Sequence, residues 1–206
     1  MTTPSPTIFV VDDYAPLRRS IARLLRAAGF VVAAFASAQE FLAQYDPGVG
    51  GCLVLDLAMP TLNGLELQDI LAKAGSVLPI IFLTGTADIP KSVQAMKHGA
   101  SDFLTKPVND EDLLAAVRVA IEKNRSVRQQ QTELSEIRAR LATLTPRERE
   151  VLEYVVAGKL NKQIAGDLGT VEQTVKVHRA RVMHKLRLQS VAELVRLTER
   201  CGINGR

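Results

Sequence analysis

Short apolar runs alternate with helical patterns along the first half of the chain. The apolar runs, each ending at or near a polar residue, cover positions 8–11, 30–35, 52–55, 78–83 and 102–104. Runs that are apolar on both faces are typical of buried parallel strands. Apolar residues at helical spacing follow each run, at positions 17–25, 41–42, 65–71, 93–96 and 113–121. The alternation predicts a doubly wound (βα)5 domain, in which helices cover both faces of a parallel sheet.

The helical pattern continues beyond the point where this first domain should end. Two series of residues repeat every seven positions and interleave like a coiled-coil seam, namely Val127, Leu134 and Leu141, and Gln130, Ile137 and Leu144. Neither Gly nor Pro occurs between Pro107 and Pro146. We therefore predict one helix over residues 109–143, whose part 124–143 is a linker that can pair with its copy in a dimer. The alternative is a solvated amphipathic helix that lies against its own domain.

The rest of the chain is helical in pattern. Four helices are predicted, at positions 146–157, 161–168, 170–186 and 190–200. A tight turn at Gly169, between the second and third of them, is typical of a helix-turn-helix. The first helix has a strong start signal, because Thr145 can cap it, Pro146 suits its first position and Glu148 completes a capping box. The sequence thus predicts an all-α domain of four helices at this end.

Composition is that of an ordinary globular protein. The 206 residues are long enough for two domains, and 47% of them are hydrophobic, which excludes a disordered chain. The longest nearly apolar run, 27–38, is shorter than the roughly 20 residues that a membrane span needs. The start of the chain has neither a basic n-region nor an apolar h-region, so we expect no export, and two cysteines cannot form a disulfide framework. We expect a cytoplasmic protein that does not bind a membrane.

The net charge of +4 hides a difference between the two halves. Residues 1–123 carry 10 Lys and Arg against 13 Asp and Glu, whereas residues 124–206 carry 16 against 9. The halves therefore have net charges of −3 and +7. A basic domain favours a polyanion partner, with DNA the commonest choice, although chance placement of surface charge is the alternative.

Chemically active side chains follow several of the predicted strands. Asp12 and Asp13 follow the first, Asp56 the third and Thr84 the fourth, and Lys106 comes just after the fifth. Ligands bind at the carboxyl ends of strands in open α/β sheets, so these side chains should meet at one edge. Three carboxylates so close together repel one another unless a hard cation lies among them. The sequence predicts a site for Mg²⁺, or for Mn²⁺.

The motifs that contain these residues resemble the receiver domain of two-component response regulators. The resemblance covers residues 7–123 and is carried by Val10-Val11-Asp12-Asp13, Leu55-Asp56-Leu57-Ala58-Met59-Pro60 with Gly64, Leu83-Thr84-Gly85, and Phe103-Leu104-Thr105-Lys106-Pro107. It implies that Asp56 accepts a phosphoryl group from a phosphohistidine of a sensor histidine kinase. A carboxylate held by a metal ion is a suitable nucleophile for such a transfer.

The resemblance also implies roles for the neighbouring residues. Asp13, Asp56 and the backbone carbonyl of Ala58 would ligate the ion, and Asp12 would reach it through water. Lys106, which precedes an expected cis peptide bond to Pro107, would pair with the phosphoryl oxygens.

Two positions would carry the response of the site. Thr84 would donate to a phosphoryl oxygen, and Phe103 would then turn inward as the switch residue, unless it is an ordinary core Phe. Ala58 and Thr86 lie where relatives of the family control the access of water. Because Ala58 can neither orient nor activate a water, we expect slow self-dephosphorylation.

The basic half resembles the four-helix DNA-binding domain of the FixJ/NarL and LuxR-type regulators. The whole chain resembles the FixJ-like group. The resemblance is carried by residues 144–152, 158–165 and 174–179. In the helix at 170–186, residues Val171, Val175, Val182 and Leu186 are predicted to face the core. Candidate base contacts in the major groove are Gln173, Lys176, Val177, Arg179 and Ala180. Candidate phosphate contacts are Asn161, Lys162, Thr174, Arg181 and Lys185. His178 is interpreted as a helix-packing residue.

These observations favour a transcription factor that is switched by phosphorylation, and not a turnover enzyme. The expected parts are a receiver domain at 1–123, a linker at 124–143 and a helix-turn-helix domain at 144–206. A sensor histidine kinase, promoter DNA and RNA polymerase are the expected partners, with a homodimer formed through the receiver and the linker after phosphorylation.

Two alternatives belong to other classes of protein. A phosphorylation-switched scaffold that binds protein or RNA would also use a basic half. An aspartyl-phosphate phosphatase of the haloacid dehalogenase type needs a second Asp two residues after the nucleophile, where this chain has Ala58. It would therefore lack its proton donor.

Overall fold

The computed structural model describes residues 5–85 and 98–202. These residues form two compact units that divide between Gln129 and Gln130, and each is described by itself. None of the helices in the described ranges is long and apolar enough to cross a membrane.

The first unit is a five-stranded parallel sheet with helices. Its strands are β1 (Thr7–Val11), β2 (Val31–Phe35), β3 (Gly51–Asp56), β4 (Ile80–Thr84) and β5 (Asp102–Thr105), in the order β2-β1-β3-β4-β5. Its helices are α1 (Ala15–Ala27), α2 (Ala38–Gln44), α3 (Gly64–Lys73) and the first part of α4 (Asp110–Ala142). The predicted doubly wound parallel sheet is confirmed. The helical pattern at 93–96 and the position of Thr86 lie outside the described residues.

Two apolar layers cover the sheet. One cluster joins residues of the strands to α2 and α3 through Phe41 and Leu67, and the other joins them to α1 and α4 through Leu25 and Val117. The central strand β3 is buried at every position. By contrast β2, an edge strand, is only partly covered, and Val31 is 52% exposed, because a neighbouring strand lies on one side of it alone.

Polar contacts fix α4 to the opposite end of the sheet from the acidic residues. The buried Asn124 side chain accepts the N–H of Gly51 at 3.0 Å and donates to the carbonyl of Val77 at 2.8 Å. Arg128 donates to the carbonyl of Pro47 at 2.8 Å and to that of Gly48. The start of the predicted linker therefore belongs to the first unit.

The second unit is all helical. It contains the second part of α4, followed by α5 (Pro146–Val156), α6 (Asn161–Asp167), α7 (Glu172–Leu186) and α8 (Val191–Arg200). The capping box predicted for Thr145 and Glu148 is present at the start of α5. The predicted helix-turn-helix corresponds to α6 and α7.

The apolar stripe of α4 does not lie free. Ile137, Leu141 and Leu144 are buried in the core of the second unit, together with Val151 and Val182. This differs from the expectation of a linker at 124–143 whose stripe pairs with a second copy. A seven-residue repeat shows that a helix has an apolar stripe, but not whether its own chain or a second copy covers that stripe. Here the same chain covers the C-terminal half of the stripe.

Candidate functional site

Three carboxylates meet at the carboxyl ends of β1 and β3. Oxygen atoms of Asp12, Asp13 and Asp56 all lie within 4.8 Å of one another. Asp12 and Asp56 are buried, whereas Asp13 is exposed. The parallel sheet causes this meeting, because β1 and β3 are neighbours and end at the same edge. The structure thus brings together the three acidic residues that the sequence singled out.

Lys106 joins two of these carboxylates. Its Nζ lies 2.9 Å from an oxygen of Asp12 and 2.9 Å from one of Asp56. The peptide bond between Lys106 and Pro107 is cis, and the Lys106 N–H donates to the carbonyl of Thr84 at 2.8 Å. The β4–β5 pairing therefore delivers the ammonium group to the acidic edge.

The environment shifts the pKa of both partners in this ion pair. Desolvation by burial raises the pKa of the Asp56 carboxyl, and its hydrogen bonds from Lys106 and Ala58 only partly oppose this effect. Burial alone would lower the pKa of Lys106, but the hydrogen bonds to Asp56 and Asp12 outweigh it and raise that pKa. Lys106 is therefore a fixed positive charge in this site.

Arg18, which the sequence analysis missed, holds the turn that carries the acidic pair. Its guanidinium donates to the carbonyl of Asp12 at 2.6 Å and to that of Asp13 at 3.3 Å. The N–H of Tyr14 donates to the Asp12 carboxylate at 2.8 Å. An arginine one turn into the helix after an acidic pair is the signal that could have found it.

The loop after Asp56 is shaped by a close backbone approach. The N–H of Ala58 donates to the Asp56 carboxylate at 3.2 Å. A Cβ atom at Gly64 would lie 2.7 Å from the carbonyl oxygen of Asp56 and 2.9 Å from the Phe82 ring. Only glycine lets α3 begin so close to the end of β3. Ala58 itself is exposed.

Thr84 and Phe103 occupy neighbouring strands at this edge. Thr84 is buried, and its hydroxyl donates to the carbonyl of Gly85 at 3.1 Å. Phe103 is 42% exposed on the edge strand β5. This exposure contradicts the alternative that Phe103 is an ordinary core residue.

The donor set fits a hard divalent cation. Three carboxylates lie near the ammonium of Lys106 and the guanidinium of Arg18, which leaves an excess of negative charge at this edge. Carboxylate and carbonyl oxygens are the ligands that Mg²⁺ and Mn²⁺ accept in proteins. The cluster of Asp12, Asp13 and Asp56 therefore has the chemistry of a site for such an ion.

In the second unit, α7 presents one buried and one exposed face. Val175, Val182 and Leu186 are buried, as predicted. Val171 was predicted to face the core, but it is 66% exposed, because it is the N-cap residue with extended backbone and precedes the first turn of α7. The predicted contact residues that lie exposed on α7 are Gln173, Lys176, Val177, Ala180 and Arg181.

Some predicted contact residues are already engaged within the unit. The Arg179 guanidinium donates to the side-chain oxygen of Asn161 at 3.1 Å, and Lys176 pairs with Glu172 on the same helix at 3.1 Å. Lys162 is exposed and Thr174 is half-buried.

Two further residues of α7 point inward. Lys185 was predicted to contact a phosphate, but it lies 2.6 Å from the buried carboxylate of Glu148. The Nδ1 of His178 is buried and has no hydrogen-bond partner among the described residues. This burial agrees with the interpretation of His178 as a packing residue.

Two protein families match the chain, one for each unit. Residues 8–118 match the family described as the response regulator receiver domain. Residues 142–198 match bacterial regulatory proteins of the luxR family.

Relatives match both units at once. Nodulation protein W of Bradyrhizobium diazoefficiens is 46% identical, over 96% of this chain and 87% of the relative. The transcriptional regulatory protein FixJ of the same organism is 43% identical, over 95% of this chain and 96% of the relative. The solved structure of the response regulator StyR is 44% identical, with a TM-score of 0.89, and covers 95% of this chain and 99% of that one. Full-length FixJ from B. japonicum is 42% identical, with a TM-score of 0.58, and covers 98% of each chain.

Proposed function

Because the chain belongs to the transcriptional response regulators, with a receiver domain and a LuxR-type DNA-binding domain, we propose that Asp56 is its phospho-acceptor. The single observation that carries this proposal is the convergence of Asp12, Asp13 and Asp56 on one point with Lys106 beside them. Asp56 is the member that ends the central strand, which is buried at every position.

The transfer needs a carboxylate oxygen as nucleophile. The receiver domain implies a histidine kinase as partner, and its phosphohistidine is the donor. An oxygen of Asp56 attacks the phosphorus, the P–N bond breaks, and its electron pair returns to the imidazole. An acyl phosphate on Asp56 and a free histidine on the kinase are the products. Lys106, 2.9 Å from Asp56, then pairs with the phosphoryl oxygens as a point charge.

Asp12, Asp13, Asp56 and the Ala58 carbonyl would hold Mg²⁺ or Mn²⁺. A bound divalent ion would neutralise the carboxylates and the phosphoryl oxygens and orient the acceptor. Asp56 would supply the buried ligand and Asp13 the exposed one, and the buried Asp12 would reach the ion through water. Arg18 fixes the backbone that carries Asp12 and Asp13, so the cluster is preformed.

The response to phosphorylation would begin at Thr84. Its hydroxyl gives up the carbonyl of Gly85 and donates to a phosphoryl oxygen instead. Phe103, exposed on β5, then turns inward. Burying a Phe ring requires no hydrogen-bond partner for a hydroxyl, unlike burying a Tyr.

The LuxR-type domain implies DNA binding, and α7 is the proposed reading helix. Gln173, Lys176, Val177 and Ala180, on its exposed face, are proposed to meet bases in the major groove. The phosphate contacts would come from Lys162, Thr174 and Arg181, while Arg179 and Asn161 act as a pair. A gel shift on promoter DNA that weakens with salt would support this role, and binding to RNA alone would contradict it.

Phosphorylation is proposed to favour a homodimer, which would then engage RNA polymerase at a promoter. Of the predicted seam, Leu141, Ile137 and Leu144 are buried within the second unit, so the dimer would use the receiver and the earlier positions Val127, Gln130 and Leu134. Sedimentation with and without a small phosphodonor tests this model. A monomer that persists after phosphorylation would contradict it.

The acceptor can be tested with one substitution. Asp56→Asn should abolish labelling by a radioactive small-molecule phosphodonor in the presence of Mg²⁺, because an amide oxygen is a poor nucleophile. Asp46→Asn, in an exposed loop of the same unit, is the matched control and should be labelled like the wild type. Full labelling of Asp56→Asn would overturn the proposal.

Slow self-dephosphorylation is proposed because Ala58 has no group that can activate water. The label on the purified wild-type protein should persist well beyond seconds. Ala58→Asn, which adds an amide beside Asp56, should shorten its lifetime. Loss of the wild-type label within seconds would refute this proposal.

A further inference from the structure

Lys185 in the last turn of α7 is bound to the inside of its own unit. Its Nζ lies 2.6 Å from a carboxylate oxygen of Glu148 and 3.0 Å from the carbonyl of Thr143. Its side chain is about one-third exposed, and that of Glu148 is 3% exposed. An ammonium group held by a buried carboxylate would lose both contacts if it reached out to a DNA phosphate.

Glu148 has two roles at this point. Its carboxylate accepts the N–H of Thr145 at 2.9 Å and so completes the capping box that starts α5. The same oxygen accepts the hydrogen bond from Lys185. The start of α5 and the end of α7 are therefore tied through one carboxylate.

The end of α4 is tied to the same place. Arg140 donates to the carbonyl of Leu186 at 3.4 Å, and Lys185 reaches the carbonyl of Thr143, just beyond α4. Leu141 and Leu186 are both buried in the core of the second unit. Three chain segments, the end of α4, the start of α5 and the end of α7, thus meet at Lys185.

We propose that Lys185 is a positioning residue, which with Glu148 and the Thr143 carbonyl sets the direction of α7 against the end of α4, and not a phosphate contact. This inference rests on the proposed reading of DNA by α7. A reading helix must hold its side chains against base edges within a fraction of an ångström, whereas contact with phosphates tolerates more displacement. We call these contacts of Lys185 with Glu148 and the Thr143 carbonyl the joint. Loss of the joint should therefore weaken binding to a specific DNA sequence more than binding to DNA in general.

The experiment uses the full-length chain and an operator selected from a random DNA pool by the wild-type protein. The Kd is measured for this operator and for unrelated DNA of the same length, each at several salt concentrations. Lys185→Met, which keeps the aliphatic stem and removes the charge, should weaken operator binding about tenfold and leave binding to unrelated DNA within about a factor of two. The slope of log Kd against log salt should not change.

Glu148→Gln tests the other half of the joint. Gln also completes a capping box, so this variant removes the ion pair and keeps the helix start. It should lower the ratio of operator affinity to affinity for unrelated DNA by about the same factor as Lys185→Met does. The double variant should not lower this ratio further. Lys185→Arg, which keeps the cation, should restore part of the ratio.

Lys162→Met is the matched control, because Lys162 is an exposed lysine of the same unit. If it contacts a phosphate, it should weaken both DNAs equally and reduce the salt slope by about 0.9. The same behaviour of Lys185→Met would show a phosphate contact and overturn the proposal. An unchanged affinity ratio in a folded Lys185→Met protein would mean a purely structural pair and would also overturn it.

Two outcomes concern the folding of the variant and the DNA reading of the wild type, and not the contacts of Lys185. If Lys185→Met does not fold by circular dichroism, the double variant carries the test, since it leaves no unpaired buried charge. If the wild type selects no sequence from the pool, the proposed DNA reading itself has failed. That failure is distinguishable, because it appears before any variant is measured.

Discussion

At the scale of single residues, charge compensation explains most of what is special in this chain. Lys106 compensates the charges of Asp12 and Asp56, which lie side by side in a buried site. In the second unit, Lys185 compensates the charge of the buried Glu148. Buried charges persist in proteins when they are paired and hydrogen-bonded. In each unit the lysine comes from a segment far in sequence from its carboxylate.

The Glu148 carboxyl should make the stability of the second unit depend on pH. The hydrogen bond from Lys185, with the backbone hydrogen bond at Thr145, lowers its pKa below the ordinary value of 4.5. A lowered pKa in the folded state stabilises the fold above the ordinary pKa, and this contribution is lost as pH falls through the folded value. The advantage of the wild type over Glu148→Gln in calorimetric unfolding should therefore shrink as pH drops from about 6 to about 3. A gap that is constant over this range would contradict the assignment.

The two cysteines should differ sharply in reactivity. Burial raises the pKa of the Cys52 thiol to about 12, so the reactive thiolate is absent at neutral pH. Cys201 is half-buried. A thiol reagent should modify one cysteine of the native protein and both after unfolding in denaturant. Cys201→Ser is the control and should leave the native protein unmodified, and fast modification of that variant would show that Cys52 is accessible.

At the scale of elements, α4 serves both units. Asn124 and Arg128 fix its middle to the first unit, and Ile137 and Leu141 place its end in the core of the second. The polar contacts with the first unit precede the apolar contacts with the second along the helix, which is continuous over 33 residues.

Leu141→Ala should destabilise the second unit by about 2–5 kcal/mol, because it opens a cavity in a packed core. Leu134→Ala, at a half-buried position of the same seven-residue series, should cost less than about 1 kcal/mol. Calorimetric unfolding of the full chain measures both effects. Equal small effects, with loss of dimer instead, would mean that Leu141 belongs to a dimer seam.

The sequence predicted the elements that depend on local pattern, and it missed contacts that depend on the folded chain. The strands, the acidic strand ends and the Thr145 capping box are visible within a few residues of sequence. In the sequence, nothing distinguishes Lys185 from the other basic residues of a reading helix, because its partner Glu148 lies 37 positions away. The exposed Val171 was misplaced for a related reason, because the apolar period does not show where α7 begins.

At the scale of the whole molecule, each unit has its own apolar core, and the chain divides between them inside a helix. The matching LuxR-type family begins at residue 142, whereas the compact unit begins at Gln130. The difference is the segment that carries Ile137 and Leu141.

A fragment of residues 130–206 should therefore unfold cooperatively and at higher temperature than a fragment of residues 144–206. The shorter fragment loses two buried apolar side chains and the contact between Glu133 and Arg200 at 2.9 Å. A domain this small has little apolar surface to spare. Far-ultraviolet circular dichroism on heating measures both fragments, and equal midpoints would show that α4 adds nothing to the unit.

Asn124 gives α4 a link to the sheet that can be followed in time. Its side chain covers the amide of Gly51 at the start of the central strand. The amide proton of Gly51 can therefore exchange with deuterated solvent only when α4 lifts from that strand. The rate of deuterium uptake at this glycine would therefore report how often α4, the helix that joins the two units, separates from the sheet of the first unit.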